Sequence, residues 1–185
     1  RRKPLGVVFV IAPWNYPYLT AVNSIIPAMV AGNTVILKHS AQTPLCAEQL
    51  YKSAQKTLPK DVFNYLHLNH QDGLKVVSDT RVNFVSFTGS VKAGYEVQKA
   101  THTKFIDMAL ELGGKDPAYA RYDCDLEKTV ENLVDGSFFN SGQSCCGIER
   151  IYVDEKIYDK FLESFVSKTY NYNFGNPLKK ETNLG

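Results

Sequence analysis

The sequence predicts an α/β fold: a doubly wound parallel sheet with helices on both faces, continuing into part of a second α/β domain. Three observations predict it. Short β-branched runs alternate with longer amphipathic runs from residue 6 to residue 112, the rhythm of βαβ units. The composition, 44% hydrophobic and 22% charged over 185 residues, suffices for a sizeable core. Unusual residues cluster just beyond the strands, where open parallel sheets bind ligands.

The elements follow in order. GVVFVIAP (6–13) reads as a buried strand. YLTAVNSIIPAMVAG (18–32) reads as a helix that ends at Gly32, where a left-handed cap favours glycine. TVILK (34–38) is the second strand. TPLCAEQLYKSAQKT (43–57) is a helix with Thr43 as N-cap and Pro44 in its first turn. VFNYLHL (62–68) is a strand, 71–80 a short helix, VNFVSF (82–87) a strand, 91–102 a helix and FIDMALEL (105–112) a fifth strand. Beyond ELGGKDP (111–117) the pattern changes to a helix over 125–139, a cysteine-bearing turn, a strand at 150–154 and a helix over 155–170. The glycine pair Gly113–Gly114 marks the expected boundary, with one domain over 1–113 and another over 114–185.

Composition excludes several function classes. The net charge is +2 and the basic residues are scattered, so nothing asks for nucleic acid or an anionic membrane. No apolar run approaches the length of a membrane span. Cys46, Cys124, Cys145 and Cys146 fit neither a disulfide framework nor a zinc site, so no metal is expected and an intracellular, reduced, cytoplasmic protein is the plain reading. The chain opens directly on a strand without an initiator Met and stops in PLKKETNLG without a closing element. The expectation is a piece of a longer protein.

Five segments can carry chemistry, and each has a plainer alternative. In FTGS (87–90), Gly89 allows close backbone approach and Ser90 can cap the following helix, whose N-terminus attracts anions; simple capping explains the same residues. Lys38 closes an apolar strand and can donate to a ribose or phosphate oxygen, or reach solvent. PWNYP (13–17) brackets Trp14 and Asn15 between prolines. That turn can hold the Asn15 amide where negative charge develops on an oxygen, or simply pack an indole. Glu111 stands at a strand end beside two glycines, where partial burial would raise a carboxyl pKa and suit a general base; an ordinary ion pair is the commoner role. Cys145 or Cys146 in FFNSGQSCCGIER can supply a thiolate nucleophile, or fill a core.

These segments, in this order, resemble the aldehyde dehydrogenase superfamily. APWNYP, FTGS, LELGGK and FFNSGQSCCGIER follow its signature segments across nearly the whole chain, and the 34 residues between Glu111 and Cys145 fit it. The resemblance implies that Cys145, two places after GQ, is the nucleophile, that Glu111 is the general base, and that Asn15 stabilises the oxyanion together with the Cys145 backbone N–H. Trp14, Lys38, Gly89 and Ser90 match positions lining a cleft for NAD or NADP, and Gly113 lies near its nicotinamide end. The first domain is then part of a dinucleotide-binding domain and the second part of a catalytic domain. The implied chemistry oxidises a small-molecule aldehyde to a carboxylic acid through a thiohemiacetal and a thioester on Cys145. The resemblance also implies a homo-oligomer for the full-length protein, and a piece of this length inactive by itself.

Two departures stand out. Ala41 occupies the place in KHSA where a ribose-binding glutamate often stands, which removes one argument for NAD over NADP. HLNHQDG (67–73) replaces a glycine-rich turn. A non-catalytic scaffold of the same fold is therefore the alternative, and a cysteine hydrolase a weaker one, because no histidine partner for the thiol can be placed. The pair Phe138–Phe139 is read as core packing, with a substrate-tunnel lining as the other option.

Overall fold

The computed structural model describes residues 3–185. The chain divides into two compact units, the first ending at Leu112 and the second running from Gly113 to Gly185.

The first unit is a five-stranded, all-parallel sheet. Its strands are β1 (Val7–Ala12), β2 (Thr34–His39), β3 (Phe63–Tyr65), β4 (Val82–Thr88) and β5 (Asp107–Glu111), in the order β3-β2-β1-β4-β5. Helices α1 (Pro17–Val30), α2 (Pro44–Ala54), α3 (His70–Ser78) and α4 (Val91–Thr101) are the crossovers. Alternation along β1 divides the core between the two faces. Val8, Val10 and Ala12 pack with Ala21, Ile25 and Ala47 of α1 and α2. Phe9 and Ile11 pack with Val77 and Val97 of α3 and α4. Phe9 is 0% exposed, as a central parallel strand covered on both faces requires.

Local chemistry ends and starts these elements. After α1, Gly32 takes φ +88°, its N–H donates to Met29 O and the Asn33 N–H to Ala28 O, the paired bonds of a Schellman cap. Asn33 is buried; its Oδ1 accepts from Leu5 N at 2.7 Å and Gly6 N at 3.0 Å, and its Nδ2 donates to Ala28 O at 3.0 Å. One side chain thus joins the end of α1 to the entry of β1. Asn69 caps α3 and Ser90 caps α4.

The second unit pairs β6 (Asp116–Ala120) with β7 (Ile148–Val153) in parallel, joined through α5 (Leu126–Phe138), with α6 (Tyr158–Thr169) following. Ala120, Val130, Val134 and Phe161 form its core. Phe138 packs on this core and against Tyr172, with ring centroids 5.5 Å apart, while Phe139 is exposed.

Three sequence expectations need correction. The strand expected over 62–68 is confined to Phe63–Tyr65, because it is an edge strand paired only with β2. Thr43 occupies the N-cap of α2 but makes no capping bond; its hydroxyl pairs with His39 instead. Strand β6 is absent from the sequence reading: DPAYA holds Asp, Pro and Ala, all poor strand formers, and pairing with β7 overrides propensity. Among the described residues, no helix is long and apolar enough to cross a membrane.

Candidate active site

In the first unit, four candidate segments lie at the carboxyl edge of the sheet. Trp14 and Asn15 follow β1, Lys38 is the second-last residue of β2, Gly89 and Ser90 follow β4, and Glu111 ends β5. The strand order reverses between β1 and β4, so the turns carrying Trp14 and Ser90 flank the switch point where such sheets bind ligands.

Register places the side chains more finely. Ile11 pairs with Lys38 and with Phe87, and Phe87 with Leu110, so these four share one rung and the face covered by α3 and α4. Glu111 is one residue further along and points to the opposite face. Lys38 and Glu111 are three strand spacings apart, on the order of 14 Å at about 4.8 Å per spacing. Two charged groups so separated are too far apart to bond to one atom.

Lys38 is only 5% exposed. Its Nζ donates to His39 O at 3.2 Å, and burial pushes its pKa below the ordinary lysine value. Helix α3 approaches its stem through Gly73, where a Cβ would stand 3.4 Å from Lys38 Cδ and Cε. Gly73, which the sequence places in a short helix and in the departing segment HLNHQDG, lies in α3 and passes beside the lysine.

Gly89 leaves room for a neighbouring ring: a Cβ there would stand 2.6 Å from Phe87 Cζ, so the ring would have to shift. Its N–H donates to Glu111 O at 2.9 Å, tying the turn after β4 to the end of β5. Ser90 Oγ accepts from Ala93 N at 3.2 Å, the capping role the sequence offered. Trp14 is 39% exposed and Asn15 half-buried. Glu111, the last residue of the edge strand β5, is exposed.

The second unit carries the adjacent thiols of Cys145 and Cys146. Cys145 and Cys146 are both free and exposed, and Cys46 and Cys124 are free as well. Cys146 Sγ lies 3.2 Å from Ser144 Oγ. The turn before Cys145 is left-handed over three residues, Asn140 at φ +52°, Ser141 at +57° and Gly142 at +70°. For the two that are not glycine this costs on the order of 1 kcal/mol each. Ser141 Oγ donates to Gly185 O at 2.9 Å, helping to hold the turn.

The glycine pair of LELGGK divides its duties. A Cβ at Gly113 would meet nothing within 4 Å, whereas one at Gly114 would stand 2.0 Å from the Cys145 carbonyl oxygen. Gly114 therefore lets the start of β6 pass against the backbone of Cys145. The sequence marks the pair as a domain boundary and assigns a cofactor role to Gly113 alone; nothing local to Gly114 reveals its approach to Cys145.

Residues 1–185 match the sequence profile of the aldehyde dehydrogenase family. The chain belongs to that family. It is 40% identical to the lactaldehyde dehydrogenase of Methanocaldococcus jannaschii, covering 100% of this chain and 41% of that protein. It is 36% identical to the D-glyceraldehyde dehydrogenase (NADP(+)) of Picrophilus torridus, over 95% of this chain and 36% of that one. The crystal structure of an NAD-dependent aldehyde dehydrogenase from Sinorhizobium meliloti superposes with a TM-score of 0.95 at 33% identity, covering 99% of this chain and 37% of that one. The chain thus spans about two fifths of the length of these aldehyde dehydrogenases, and their names carry both NAD and NADP.

The carboxyl edge suits such a dinucleotide by its donor set. The first N–H groups of α4 have no partner within the helix, and a helix N-terminus favours phosphate. Lys38 adds a buried cation two strands away from β4 along the same edge.

Proposed function

We propose that this chain carries the cofactor-binding and nucleophile-bearing core of an enzyme that oxidises a small-molecule aldehyde to a carboxylic acid with NAD or NADP. The observation that carries the reading is the retention of Cys145, Glu111 and Asn15, each within its family segment.

In this reading residues 1–113 contribute to a dinucleotide-binding domain and 114–185 to a catalytic domain. Lys38, Gly89, Ser90, Trp14 and Gly113 hold the dinucleotide: the α4 N-terminus and Ser90 take phosphate, and Lys38 takes a ribose or phosphate oxygen. When bound, the nicotinamide supplies the acceptor for hydride. The Cys145 thiolate bonds to the aldehyde carbon, and the carbonyl electron pair moves onto oxygen. The Asn15 amide and the Cys145 N–H donate to that oxyanion. After oxidation the carbon is a thioester on Sγ. Glu111 takes a proton from water, the water oxygen bonds to the acyl carbon, the C–S bond breaks and the Cys145 thiolate returns with the acid released. The four free cysteines suit a reducing, cytoplasmic setting, and assembly as a homo-oligomer completes the reading.

The test is aldehyde-dependent NADH or NADPH formation by the full-length protein across an aldehyde panel. The reading expects turnover with one or both cofactors, lost in Cys145→Ala. An unchanged rate in that variant removes Cys145 from the role of nucleophile.

A further inference from the structure

We infer that His39 is a positioning residue: its buried imidazole clasps the start of α1 to the start of α2 and thereby sets the turn carrying Trp14 and Asn15. The inference rests on the function proposed above, because it gives that turn its catalytic meaning.

His39 ends β2 and is 4% exposed. Its Nε2 lies 2.9 Å from Pro17 O and its Nδ1 3.1 Å from Thr43 Oγ1. A carbonyl oxygen can only accept, so Nε2 carries the hydrogen and donates to Pro17. In the neutral ring Nδ1 then accepts, and the Thr43 hydroxyl donates to it.

The bond to Pro17 completes a frame. Ala12, the last residue of β1, pairs with His39 in the sheet. Pro17 is the first residue of α1. The segment between them, Pro13–Trp14–Asn15–Tyr16, is therefore held at one end by the sheet register and at the other by the imidazole of that same register partner. The N-cap of α1, Tyr16, makes no side-chain capping bond, and the imidazole adds a hold on the helix start from outside the helix.

Thr43 supports a role beyond local structure. Threonine at an N-cap ordinarily accepts from the backbone of its own helix. Here it forgoes that bond, and its hydroxyl goes to His39. Two helices thus begin without a side-chain cap, and one histidine links both starts.

The test uses the protein labelled with 5-fluorotryptophan, its Trp14 resonance assigned through Trp14→Phe. His39→Ala is expected to shift or broaden that resonance. His39→Gln, whose amide nitrogen can reach Pro17 O, is expected to restore it towards the wild-type position, and Thr43→Val to give an intermediate change. The clasp further predicts an Nε2–H tautomer for His39 in its ¹⁵N spectrum. For aldehyde oxidation, His39→Ala is expected to lower kcat by about tenfold to a hundredfold, with little change in aldehyde KM, as a shift approaching 1 Å in a positioned group does. An unmoved Trp14 resonance in His39→Ala, or an Nδ1–H tautomer, overturns the inference. Should His39→Ala not fold, His39→Gln, Thr43→Val and the tautomer decide the matter. If the full-length wild-type protein oxidises no aldehyde, the proposed function falls, while the fluorine and nitrogen signals still judge the clasp.

Discussion

Gly114→Ala puts a methyl group where the structure has none to spare. The added Cβ would stand 2.0 Å from the Cys145 carbonyl oxygen, 3.2 Å from its carbon and 3.3 Å from Asp116 Oδ1. Carbon contacts are favourable only near 3.5–4.0 Å, so the two backbones must part by at least about 1 Å. Neither side of this contact is a flexible side chain; the displacement falls on the start of β6 or on the turn bearing Cys145. Overpacking of this kind costs about 1–3 kcal/mol. A misplacement of about 1 Å at a reacting group costs on the order of a hundredfold in rate. The assay measures kcat/KM for aldehyde oxidation, the rate at which Cys145 reacts with a small disulfide reagent, and unfolding in urea. The expected outcome is a large fall in kcat/KM, an altered thiol rate and a lower urea midpoint. Gly113→Ala serves as the stability comparison, since its Cβ meets nothing within 4 Å, and should leave the urea midpoint near that of the wild type. Wild-type values for kcat/KM and thiol rate in Gly114→Ala would refute the reasoning.

Other outcomes follow from the same geometry. Lys38→Met should raise the unfolding free energy by about 0.5–2 kcal/mol, typical of a stabilising exchange, while weakening NAD or NADP binding measured by calorimetry. Because burial lowers the Lys38 pKa below its ordinary 10.5, the unfolded chain binds more protons in that window. The stability deficit of wild type against Lys38→Met should therefore shrink as pH rises from the folded pKa towards 10.5, read by urea titration at stepped pH. Gly89→Ala should destabilise through its clash with the Phe87 ring, and Phe87→Leu in the same chain should recover part of the loss, giving a coupling energy of about 0.5–3 kcal/mol in a double-mutant cycle. Glu111→Gln should lower steady-state turnover by about 10²–10⁴-fold yet retain a pre-steady-state burst of reduced cofactor, because the thioester still forms; loss of the burst would count against a base acting on water.

The helix ends were legible because their signals are short. Ser90 at the head of α4 and Gly32 beyond α1 are recognisable from neighbours a few residues away, and both take the roles their types suggest. The burial of Lys38 was not legible: whether a strand-end lysine faces solvent or α3 depends on Gly73, 35 residues further along. The exposure of Glu111 likewise depends on β5 being an edge strand, a property of strand order.

The sequence by itself determined the alternation of strands and helices, the parallel sheet and the family, because hydrophobic period, caps and signature turns are written within a few residues of where they act. Tertiary structure alone decided the order β3-β2-β1-β4-β5, the existence of β6 against its propensity, the diversion of Thr43 from its helix to His39, and the passage of Gly114 against Cys145. Apart from the short loop between His39 and Thr43, these depend on pairings and close approaches between residues far apart in the chain. Their energy comes from hydrogen bonds and packing that exist only once the chain has closed, so no local pattern records them.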